Sequence, residues 1–169
     1  MRILHSIVLF SAATFLAPAV SVAQTTGVPG FNDLTVNGLG SGTTSCSAPI
    51  SMSGGGVATM EVSTAPSVPV VLLFTPFCRC QPPFFPLPPS TSCPIPFTAG
   101  GGASNQSVDL LLSPNCILLN FVTNSDAAGM VDLPLPLPPS FVLGVQAASL
   151  HPCATGFPVL FTQAHTILT

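Results

Sequence analysis

The sequence predicts an all-β protein, an antiparallel two-sheet sandwich of immunoglobulin-like or jelly-roll-like type with roughly eight or nine strands. Three observations carry that expectation. The stretch Gly129 to Ser149 alternates on either side of Pro138-Pro139-Ser140, turn signals recur along the chain, and no helical period appears after the N-terminal segment. In that stretch Val131, Leu133, Leu135 and Leu137 take every second position, with Asp132, Pro134, Pro136 and Pro138 between them. Side chains of an extended strand alternate between faces, so one face is aliphatic and prolines remove ladder donors; this predicts a strand at a sheet edge. After Pro138-Pro139-Ser140 the alternation resumes, with Phe141, Leu143, Val145 and Ala147 against Val142, Gly144, Gln146 and Ala148. That pattern predicts an interior strand with neighbours on both edges.

The remaining elements follow in order. Phe31 to Val36 reads as a short first strand, ended by the turn pair Asn37-Gly38. Ile50 to Ser53 and Val57 to Thr64 are extended segments around Gly54-Gly55-Gly56, and alternation points Met60 and Val62 inward. The continuous apolar run Val70 to Phe74 predicts a central strand. From Thr75 to Thr98 the composition turns to Pro, Phe and Cys, which predicts a cross-linked excursion in polyproline-like and turn conformations rather than regular sheet. Gln106 to Leu112 is expected as a strand, turning at Ser113-Pro114-Asn115 into a hairpin partner, Cys116 to Thr123. Val159 to Leu168 supplies the last strand.

The N-terminus carries Arg2, an apolar run from Ile7 to Phe15, and Ser21-Val22-Ala23 before Gln24. This is the pattern of a secretory signal peptide over 1–23, leaving 24–169 as a single β-sandwich domain. No later segment of about 20 residues is free of Pro, Gly and polar interruptions, so no transmembrane segment is expected after cleavage. Beyond the signal, Arg79 is the only basic Lys or Arg residue, against Asp33, Glu61, Asp109, Asp126 and Asp132. Nucleic acid and anionic lipid are held by clusters of Lys and Arg, so both are poor partners for this chain. With charged residues at 4% and a mean hydropathy of +0.69, little charge repulsion keeps copies apart, a composition that favours assembly.

Cys46, Cys78, Cys80, Cys93, Cys116 and Cys153 all follow the signal segment, and an even number in an oxidising compartment predicts disulfides. Cys78 and Cys80 are too close to pair with each other; one is expected to close the proline-rich loop onto Cys93, leaving the others to join among Cys46, Cys116 and Cys153. A metal set drawn from Cys78, Cys80 and Cys93 with His151 or Cys153 lacks the paired Cys-x-x-Cys spacing of zinc sites, so no metal or other cofactor is expected. His151 and His165 stand in no hydrolase motif, and Gly-x-Ser-x-Gly is absent. His165 reads as a surface or rim residue. Asp126, in Asn-Ser-Asp-Ala-Ala-Gly, reads as a turn former rather than one of a catalytic pair with Asp132.

The segments Leu110 to Cys116, Thr123 to Val131, Leu133-Pro134-Leu135-Pro136, Gly144-Val145-Gln146-Ala147 and Phe161-Thr162-Gln163-Ala164 resemble a domain of unassigned function found in secreted proteins of planctomycete-type bacteria. The Val-Leu-Leu-Phe strand after Thr64-Ala65-Pro66 fits the same pattern. The resemblance implies a β-sandwich outside the cytoplasm and brings no catalytic residues with it. The Cys-Arg-Cys and proline-rich insertion between Phe77 and Phe97 departs from it.

The functional expectation is a non-catalytic, secreted extracellular or cell-surface domain that contacts other extracellular or envelope proteins or itself. The alternative is a ligand-binding module, glycan-binding for example, with Phe77, Phe84 and Phe85 as an apolar platform. No Trp or Tyr is present to stack on a sugar.

Overall fold

The computed structural model describes Thr25, Gly27 and residues 29–86, 107–110, 115–150 and 158–169. The expected signal segment over 1–23, the rest of the excursion with Cys93 and Phe97, and His151 and Cys153 lie outside the described residues. The described chain is all β: β1 (Asp33–Val36), β2 (Ile50–Ser51), β3 (Gly56–Ser63), β4 (Pro69–Pro76), β5 (Cys80–Pro86), β6 (Ser107–Leu110), β7 (Leu119–Asn124), β8 (Met130–Leu137), β9 (Val142–Leu150), β10 (Val159–Phe161) and β11 (His165–Leu168).

Two sheets make the sandwich. One has the order β1-β3-β8; the other runs β2-β11-β9-β4-β7, with β10 pairing β9 beyond the end of β11. All pairings are antiparallel except β2 with β11. The strand period of two explains why they pack: Ala58, Met60 and Val62 of β3 share one face, as do Val70, Leu72 and Phe74 of β4 and Leu143, Val145 and Ala147 of β9. These side chains, with Leu34, Val36, Val131, Leu137 and Ile167, form one buried cluster between the layers. Each Val, Leu, Ile, Met or Phe side chain of the cluster taken out of water contributes about 1.5–3 kcal/mol.

Among the described residues the proline-bearing strand β8 lies at an edge and pairs β3 alone, and β9 is interior, as the alternation predicts. Thr59 explains how β3 tolerates the prolines. Its N–H donates to Asn37 Oδ1 (2.8 Å) and its C=O accepts from the Asn37 N–H (2.9 Å), so both groups face away from β8. The facing residue, Pro134, therefore sits in a pair without ladder bonds, and its nitrogen lies on the open side of β8. Alternation places Pro136 the same way. Asn37 and Gly38, with φ of 52° and 73°, form the two-residue turn their sequence announces, closed by reciprocal 3.0 Å bonds between Val36 and Leu39.

A third, smaller sheet departs from expectation. Cys80–Pro86, read as irregular, is a strand paired with β6, and a register shift between Cys80 and Phe85 absorbs the prolines. An edge strand needs ladder donors on one side only, which is why sheet survives here. The expected hairpin of Gln106 to Leu112 with Cys116 to Thr123 does not form: β6 pairs β5, and β7 pairs β4. Sequence adjacency only favours pairing. Here the Cys78–Cys116 disulfide ties the approach to β7 onto the end of β4.

The last strand is split. Phe161 faces Ala148 and His165 faces Val145, so four steps along one strand match three along the other, a β-bulge at Thr162–Ala164. Thr162 holds it, its N–H donating to Ala147 O (2.9 Å) and its Oγ1 accepting from the Ala147 N–H (3.0 Å).

Candidate interaction edge

A strand at the end of a sheet exposes a row of unpaired N–H and C=O groups, which must meet water, a side chain or another strand. Three edges of this fold, those of β8, β1 and β6, are closed in different ways. On β8, proline nitrogens line the open side. On β1, Asn37 lies opposite Thr59 with ladder bonds, so alternation turns Leu34 and Val36 outward. Val36 is satisfied by Leu39, and Leu34 by a side chain: Gln163 Nε2 donates to Leu34 O (2.9 Å) and its Oε1 accepts from the Leu34 N–H (3.3 Å).

On β6 a second glutamine does the same. Gln146 Oε1 accepts from the Asp109 N–H (2.9 Å) and its Nε2 donates to Ser107 O (2.9 Å), while the Ser107 N–H donates to Thr25 Oγ1 (2.8 Å). Gln146 sits on the face of β9 opposite the main core, under the β5–β6 sheet. There Leu110, Cys80 and Ala164 make a second apolar cluster with Cys46 and Leu73.

Among the described residues β7 has none of these devices. Its sequence, Leu-Asn-Phe-Val-Thr-Asn, contains no proline and no charge. The Ser125 N–H, one residue past the strand, donates to Val68 O (2.9 Å), and on the far side of β4 the Phe77 N–H donates to Val142 O (2.7 Å). Both fix the same alternation: Leu119, Phe121 and Thr123 bond to β4, whereas Asn120, Val122 and Asn124 turn their backbone groups to the open edge. Among the described residues no strand pairs that edge.

The side chains match the backbone. Leu119 and Phe121 stand opposite Phe74 and Leu72 and continue the inner apolar face, yet no β7 residue belongs to the core cluster. The sheet overhangs its three-stranded partner. Leu119 is 51% exposed and Val122, on the other face, 64%; Phe121, Ile117 and Leu118 are exposed too. Leu, Phe and Val side chains open on both faces of a terminal strand are what proteins ordinarily avoid with Lys, Pro or a bulge.

The predicted site residues distribute differently. Cys46 pairs with Cys80 and Cys78 with Cys116, so the expected closure of the loop from Cys78 or Cys80 onto Cys93 is corrected: each holds the excursion's start against a neighbouring element instead. Phe77 is 75% exposed, with its ring edge-on to Phe141 at 4.9 Å. Phe84 and Phe85 lie on β5, and their side chains are outside the described residues.

His165 is not at the surface. Its ring is buried, Nε2 stands 2.9 Å from Leu34 O, and burial pulls its pKa below the usual imidazole value, against the Leu34 carbonyl and the Asp33 carboxylate. The bulge turns this segment toward β1, an effect that alternation alone does not show. Asp126 is committed to its turn, Oδ1 accepting from the N–H groups of Ala128 and Met130 (2.8 Å each). Asp109 is buried and accepts a short hydrogen bond from Ser107 Oγ (2.5 Å); burial raises its pKa, against the hydroxyls of Ser107, Ser45 and Thr25. Among the described residues no cluster of His, Cys, Asp or Glu is arranged to hold a metal ion, and no helix is long and apolar enough to cross a membrane.

No protein-family model, curated protein or solved structure matches this chain.

Proposed function

We propose that this chain is a non-catalytic extracellular or cell-surface domain that works by protein contact, and that the contact is made at the β7 edge. The observation that carries the reading is the contrast between edges: prolines, glutamine amides and a tight turn close β8, β6 and β1, while β7 presents backbone groups that no described strand pairs, flanked by Leu119, Phe121 and Val122. Strand addition draws affinity from main-chain hydrogen bonds and specificity from alternate side chains, and needs no charge.

Location outside the cytoplasm is supported by the signal-like N-terminus and by two disulfides, which persist in oxidising compartments. The resemblance to a secreted planctomycete-type domain points the same way. The non-catalytic part is supported by how the described ionisable groups are used: His165, Asp109 and Asp33 are buried in structural hydrogen bonds and Asp126 makes a turn.

A photo-cross-linking residue at Val122, compared with one at Asp132 on the proline-lined edge, tests the proposal on the protein as secreted. A discrete protein adduct from position 122, absent from position 132, is expected. No adduct, or equal adducts from both, contradicts it. A second reading, a glycan site at the Phe-rich loop, is favoured by the exposure of Phe77; binding on a glycan array that Phe77→Ser abolishes would support it.

A further inference from the structure

We infer that the occupant of the β7 edge is the β7 edge of a second copy, paired antiparallel about Val122. This rests on the interaction reading above and names its partner.

The β7 edge is self-complementary. The outward-facing residues are Asn120, Val122 and Asn124. Read in reverse they are the same set, amide, valine, amide. In an antiparallel pair about a two-fold axis normal to the sheet, a residue i faces a residue j with i + j constant, and facing side chains lie on the same side. Only the register centred on Val122 pairs all the outward-facing residues of the strand with each other. It sets Val122 against Val122, and Asn120 against Asn124 twice. Each of these is a pair that exchanges both N–H···O bonds.

The side chains accept this register on both faces. On the outer face the two valines meet at the centre, flanked on each side by Asn120 beside Asn124. On the inner face Phe121 lies opposite Thr123, and the two Phe121 rings are diagonal neighbours about the axis, within reach of aromatic contact. β7 brings no charge to the joint, so no like charges are opposed. The six-stranded sheets of two copies become one continuous sheet. The interface is isologous and consumes the β7 edge on each copy, so the pairing closes as a dimer.

Sedimentation equilibrium of the purified secreted chain tests this, with Val122→Pro, Val122→Lys and Val57→Lys. Val122 gives no ladder bond to β4, so proline there removes only an outward donor. Val57 is an exposed valine on β3, away from the edge, and controls for the added charge. A reversible dimer is expected for the parent and Val57→Lys and its loss in both Val122 variants. Amide hydrogen exchange of the parent supplies a readout independent of variants: Asn120, Val122 and Asn124 slow as concentration rises, whereas the β4-bonded amides of Phe121 and Thr123 are slow throughout. A monomer at every concentration, a dimer that survives both Val122 substitutions, or dimerisation without protection at these amides overturns the inference. A monomer that still gives a heavier adduct from position 122 on the secreting cell overturns self-pairing and leaves the interaction reading standing.

Discussion

The side-chain amide of Gln163 replaces a missing strand beside Leu34, donating to its carbonyl at 2.9 Å and accepting from its N–H at 3.3 Å. The same amide reaches Gly40 O (3.0 Å) and Asp33 Oδ1 (2.5 Å), so one buried group satisfies the edge of β1 and its following loop. Removing it leaves buried polar groups without partners, each costing about 1–3 kcal/mol. Gln163→Met, close in volume and apolar, is expected to destabilise the chain by about 2–4 kcal/mol in urea unfolding. A loss within the experimental error of the parent would mean that water or a shifted backbone replaces the amide.

The pH dependence of stability has two opposed slopes. His165 has its pKa lowered by burial, so as pH falls below its ordinary value of 6.5 the unfolded chain takes up the proton first. Its stabilising effect is complete above that value and is lost as pH falls toward the folded value. Asp109 has its pKa raised by burial, so as pH climbs above 3.8 the unfolded chain releases its proton first. Stability then declines until the folded carboxyl also ionises. Urea midpoints measured across acid and neutral pH check both signs. Asp109→Asn is expected to remove the decline with rising pH, and His165→Gln, which keeps a donor for Leu34 O, to flatten the loss below 6.5.

The fold was legible wherever the strand period and turn chemistry act locally. Met60 and Val62 point inward because alternation says so, and Asn37-Gly38 turns because both residues accept positive φ. Pro134 and Pro136 mark an edge from composition alone. What the sequence left unread depends on contacts between distant segments. The partners of Cys78 and Cys80 follow from the approach of β4 to β7 and of β5 to the loop at Cys46, and burial of His165 follows from a bulge. The open edge was hidden as well, because Leu119 to Asn124 reads as an ordinary hairpin strand until its neighbour is known. Gln146 did carry a signal: a glutamine within an interior-strand run, whose amide alone among its neighbours can both donate and accept.

The pairing of cysteines is checked by peptide mapping without reduction. Fragments linking Cys46 to Cys80 and Cys78 to Cys116 are expected. Cys78→Ser with Cys116→Ser should lower stability by about 2–4 kcal/mol, since the closed loop spans a sequence separation of 38. Recovery of Cys93 joined to Cys78 or Cys80 would contradict this arrangement.

Gly38, with φ of 73°, tests the first hairpin. Its N–H donates to Glu61 Oε2 (3.0 Å), which also accepts from Thr35 Oγ1 (2.5 Å), so the turn is fixed to β3. Gly38→Ala is expected to cost about 1–2 kcal/mol from the left-handed backbone alone, read as a shift in the urea midpoint with unchanged slope.

The contrast between closed and open edges is tested most directly by residue-resolved amide hydrogen exchange on the dilute chain. Slow exchange is expected at Leu34 and Asp109, whose N–H groups bond to Gln163 and Gln146, and fast exchange at Asn120, Val122 and Asn124. A Val122 amide as protected at low concentration as that of Leu34 would contradict it.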